Sequence, residues 1–123
     1  MGYTQEEKIK FSEAFKLRTK NFALTILRIY QAMPKNGEYV IIGNQLLRAA
    51  TSVAANYRAT CRSRSKAEFF SKISIVVEEA DESLFWLEVL LEGSLMPEKE
   101  IIPLIQEAKE ITSIVSSARK NIY

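Results

Sequence analysis

The chain has 123 residues, 47% apolar and 26% charged, a balance that excludes both a disordered polymer and a disulfide-stapled scaffold. A net charge of +2 and the absence of histidine count against a strongly cationic nucleic-acid binder and against catalysis that leans on imidazole. At this length one domain over residues 1–123 is expected, with a single core that buries roughly two-thirds of the unfolded surface.

Four helices are predicted in chain order. Thr4 and Glu7 make a capping box, after which Phe11, Phe15, Phe22, Ile26, Ile29 and Met33 recur at three- and four-residue steps. This predicts a first helix over 5–33, stopped by Pro34, Lys35, Asn36 and Gly37. The second, over 38–62, carries Ile42, Leu46, Ala49, Val53 and Tyr57 on one stripe, and its many small neighbours admit another helix closely. Ser65 with Glu68 reads as a reciprocal N-cap for a third helix over 66–92. There Phe69, Ile73, Val76, Ala80, Leu84, Leu87 and Leu91 form the seam, and Gly93 is the natural stop. Pro97 suits the first position of a fourth helix over 98–120, whose stripe runs from Ile101 to Ala118; Pro103 predicts an irregular or restarted first turn. No strand pattern of comparable strength exists, Tyr39–Ile42 being short and isolated. Connections this short predict an all-α, antiparallel up-down-up-down four-helix bundle.

Charge is distributed unevenly: about +4 over residues 1–37, +4 over 38–67, −6 over 68–96 and zero over 97–123. The third helix collects Glu78, Glu79, Asp81, Glu82, Glu88 and Glu92, yet a bundle di-metal site also needs a Glu-x-x-His motif, so no metal is expected. Without histidine, and with no nucleophile elbow or lysine-paired serine motif, no catalytic residue is assigned. The four glycines make no phosphate loop, and neither a cofactor nor a small-molecule substrate is expected. Phe69, Phe70 and Trp86 lie on or beside the apolar seam and read as packing residues sooner than as base-stacking platforms. The lone Cys61 reads as a small packing residue. Charges break every apolar stretch, so no membrane span is predicted, and a charged N-terminus makes the cytoplasm the expected location.

One segment resists a purely structural reading. Along the second helix Asn44, Arg48, Thr51, Ala55, Arg58 and Arg62 form a polar stripe that meets Arg64 and Lys66 at the turn. Arg58 and Arg62 suit the negative end of a helix dipole, whereas Arg64 and Lys66 stand at the positive end of the next helix and want a different partner. An acidic neighbouring subunit or a nucleic-acid backbone would supply one.

The run LLRAATSVAANYRATCRSRSKAEFFSKISIVVEEADESLFWLEVL, preceded by Phe22, Ala23 and Leu24 ahead of the Met33–Pro34 stop, closely resembles the bacterial four-helix-bundle family of 23S rRNA-intervening sequence proteins. The resemblance implies a compact bundle without enzyme activity that assembles into a homo-oligomeric ring, a pentamer. Relatives include the accessory proteins of diversity-generating retroelements, which are basic rings that bind nucleic acid and a reverse transcriptase. Arg48, Arg58, Arg62, Arg64 and Lys66 match the family's basic run. They are the candidate contacts to RNA or DNA, sequence-independent, or to a neighbouring subunit, whose acidic third helix would pair with the turn.

Overall fold

The computed structural model describes residues 2–122. Four helices follow one another: α1 (Gln5–Ala32), α2 (Gly37–Thr60), α3 (Lys66–Glu92) and α4 (Glu98–Lys120), and no strand occurs among the described residues. Consecutive helices pack side by side, α2 on α3 most extensively, which makes an all-α, antiparallel up-down-up-down four-helix bundle.

The ends of the helices are written locally. Thr4 Oγ1 accepts from Glu7 N–H at 3.1 Å while Glu7 Oε1 accepts from Thr4 N–H at 3.3 Å, a complete capping box. Ser65 Oγ accepts from Glu68 N–H at 3.0 Å, but the Glu68 carboxylate turns to Lys72 at 3.0 Å, so the expected reciprocal bond is replaced by an i,i+4 ion pair. α3 closes in a Schellman motif, with Leu95 N–H donating to Leu90 O and Ser94 N–H to Leu91 O. The left-handed residue there is Ser94 (φ 56°), not Gly93. Gly93 is needed for space, because a Cβ at that position would stand 2.9 Å from Val89 O. Pro97 is the N-cap of α4 and not its first helical residue. Pro103 sits inside a continuous helix, so the predicted restart does not occur.

All four helices share one core. Phe15, Phe22 and Ile26 of α1 meet Leu46, Val53 and Tyr57 of α2, Ile73, Val76 and Leu87 of α3, and Ile101, Ile111 and Val115 of α4. Phe11, expected in this stripe, is 53% exposed, since it lies in the first two turns of α1 where no neighbour covers it; its ring stacks on Phe15. Phe69 and Trp86 pack against the core, as the seam reading requires. The packing is uneven: the backbones of α1 and α4 approach at few points, and those of diagonal helices, which share the core only through side chains, do not approach at all. A groove of about 380 Å³ between α1 and α4 results. Arg18 crosses it, donating from Nε and Nη2 to Glu107 at 2.8 and 2.7 Å and from Nη2 to Glu110 at 2.8 Å.

Candidate functional site

The α2–α3 turn is hydrogen-bonded along its backbone and charged in its side chains. Cys61 caps α2 in helical geometry, its N–H donating to Tyr57 O at 3.1 Å, and Arg62 and Ser63 N–H continue to Ala59 O and Thr60 O. Tyr57 and Thr60 beneath are buried, and Thr60 Oγ1 donates to Asn56 O at 2.8 Å. Burial pushes the Tyr57 phenol up from its ordinary value, with Cys61 adding to the shift. Cys61 itself is exposed, so the packing role expected of it is not observed.

Arg58, Arg62, Arg64 and Lys66 are all exposed and make no ion pair among the described residues. α2 ends at Thr60, which puts Arg62 beyond the helix; the dipole then accounts for Arg58 alone. Glu68, in the first turn of α3, is the acid that follows these cations along the chain. Its carboxyl is held below the usual carboxylate range, first by the Lys72 hydrogen bond and further by Arg64. Arg48 stands apart, ten residues earlier along α2 or about 15 Å. Its guanidinium donates to Glu82 at 2.5 Å and to Glu79 at 3.4 Å, both on α3. The structure therefore gathers four of the five candidate cations at the turn and assigns the fifth to an α2–α3 bridge.

Antiparallel packing adds two cations that chain order hides. The C-terminus of α4 lies at the same end of the bundle as the α2–α3 turn, and its last turn carries Arg119 and Lys120. That end also holds Glu6 and Glu7 in the first turn of α1, which the cations outnumber, whereas the opposite end holds Glu38 in the first turn of α2, Glu92 at the end of α3, and Glu98 and Glu100 on either side of Lys99 at the start of α4. Only the up-down topology, applied to residues about 60 apart in sequence, brings this polarity out. Among the described residues no cluster of three or more acidic, cysteine or histidine side chains is arranged to hold a metal ion. Among the described residues no helix is long and apolar enough to cross a membrane.

Fold and surface define the class: a small all-α bundle protein with one cationic end. The profile of the family described as 23S rRNA-intervening sequence protein matches residues 14–117, and the chain belongs to that family. Among solved structures it is similar to a protein of unknown function from the S23 ribosomal protein family of Bacteroides thetaiotaomicron VPI-5482. That similarity has a TM-score of 0.80 at 27% identity and covers 86% of this chain and 98% of the other. No curated protein matches the chain.

Proposed function

We propose that this protein is a non-enzymatic scaffold that assembles with copies of itself, as a pentameric ring by family resemblance, and holds RNA or DNA by its phosphates without reading sequence. One observation carries the proposal: Arg58, Arg62, Arg64 and Lys66 project from a backbone-pinned turn with no acidic partner for any of their side chains closer than the shared influence of Glu68. Arginine forks match phosphate oxygens in pairs, and nothing at this end resembles a groove-reading helix or a base-stacking sheet.

Titration of a labelled single-stranded homopolymer RNA, followed by fluorescence anisotropy across a salt series, tests it. Binding is expected to fall linearly on logarithmic axes, and Arg62→Ala with Arg64→Ala is expected to make the slope shallower by roughly 0.7 per contact removed. Salt-insensitive binding, or none at low salt, would refute it. The competing assignment pairs the turn arginines with acidic residues of a neighbour's α3. Arg48 already occupies Glu82, and Glu78 and Asp81 lie about 20 Å along α3 from the turn, so that pairing demands a large stagger between copies. Arg58→Glu with Arg62→Glu separates the two: an intact assembly that has lost RNA supports phosphate binding, and dissociation to single chains supports the subunit contact.

A further inference from the structure

Two outward faces of the bundle remain without partners, and their chemistries are complementary. On α1 the side directly opposite the core presents Leu17 (58% exposed), Lys20, Leu24 (37%) and Arg28. On α3 the outer side presents Ile75 (40%), Glu78, Asp81 and Phe85 (52%), continued by Glu88 and Glu92. Lys20, Arg28, Glu78, Asp81, Glu88 and Glu92 make no ion pair among the described residues, although the chain pairs cations and carboxylates elsewhere. Exposed leucine, isoleucine and phenylalanine interleaved with unpaired charges of one sign are the composition of a contact face.

The spacing matches as well as the sign. Lys20 and Leu24 are the sixteenth and twentieth residues of α1; Asp81 and Phe85 are the sixteenth and twentieth of α3. Both helices start at the same end of the bundle and run in the same direction. Two copies side by side, in the same orientation and without stagger, would set Lys20 against Asp81, Leu24 against Phe85, and Arg28 between Glu88 and Glu92.

We infer that the outer face of α1 in one copy docks on the outer face of α3 in the next. Because α1 and α3 occupy diagonal corners and meet only through core side chains, with their backbones apart, their outer faces point away from each other, so the contact is head-to-tail and cannot be satisfied by a closed pair. It propagates until the rotation between copies closes a ring. Every copy then points the same way, so all the turn arginines collect on one rim. This inference rests on the self-assembly part of the proposed function and names the surfaces that perform it.

The test is the mass of the full chain in solution by light scattering, with helicity checked by circular dichroism. Wild type is expected at a multiple of 14.0 kDa. Lys20→Glu with Arg28→Glu, and separately Asp81→Lys with Glu88→Lys, are each expected to reduce the mass to that of one chain while helicity is kept. Combining all four substitutions in one chain reverses both faces and is expected to restore the wild-type mass. An assembled wild type whose two single-face variants stay assembled overturns this interface and leaves self-assembly standing. So does failure of the fourfold variant to reassemble when the single-face variants are monomeric. A wild type that is monomeric at concentrations of tens of micromolar overturns the assembly reading itself, and RNA binding is then judged by its salt dependence alone.

Discussion

Arg18 and Arg48 each reach across a helix boundary to two carboxylates, but at boundaries of very different strength. Arg48 spans the tightly packed α2–α3 pair with a side chain 53% exposed, where an ion pair contributes under about 1 kcal/mol, so Arg48→Ala is expected to move the urea midpoint only slightly. Arg18 spans the α1–α4 groove, where few other contacts exist, and does so with a forked bond to Glu107 plus a second carboxylate. Arg18→Ala is expected to cost about 1 kcal/mol at neutral pH by urea denaturation, the upper part of the range for part-exposed pairs. Its pH dependence has a defined sign. The hydrogen bond from Arg18, with one from Gln106, holds the Glu110 carboxyl below its ordinary value. The stabilisation is therefore complete above the unfolded-state pKa and disappears as pH falls through the folded one, so wild type and Arg18→Ala are expected to converge in acid. Equal gaps at neutral and acid pH would show that Arg18 acts by packing alone. Neither bridge was visible in the sequence, because pairings 89 and 34 residues apart depend on which helices become neighbours.

Helices and their ends were far more legible than the contacts between them. The stripes on α2, α3 and α4 are visible because apolar residues at three- and four-residue steps share one helix face, and that face is the one a bundle buries. The same rule overreached at Phe11, since periodicity says which face a residue shares and not how far along the helix its neighbours extend. Phe15→Ala is expected to cost about 3–5 kcal/mol and Phe11→Ala under about 1 kcal/mol, a contrast that thermal unfolding of the two variants would check. At the end of α3 the glycine does mark the stop, and its physical reason is space, not a left-handed backbone. Gly93 makes room for Val89 O, while the left-handed turn falls on Ser94. Ser94→Gly is accordingly expected to raise stability by about 1 kcal/mol, because it removes the strain of a side chain in that region; an unchanged midpoint would mean that Ser94 is not strained.

Polarity is a property of the whole molecule, since it follows from topology applied to charge. The turn arginines are legible as a run of basic residues, whereas Arg119 and Lys120 lie about 60 residues away in sequence and do not stand out as part of it. Folding places them at the same end, and nothing local could announce it. If that end is a phosphate-binding surface, its footprint is set by position and not by membership of the α2–α3 turn. Arg119→Ala with Lys120→Ala is therefore expected to weaken binding to single-stranded RNA and to reduce the salt slope by roughly 0.7 to 1.4, as loss of one or two phosphate contacts would. Glu98→Gln with Glu100→Gln, at the opposite end, changes the net charge by the same amount but in the other direction. Were binding governed by net charge, those substitutions would strengthen it as much as the first pair weakens it. A local footprint leaves them nearly silent beyond the screening length of about 8 to 10 Å, because a bundle of 23 to 28-residue helices separates the two ends by several times that distance.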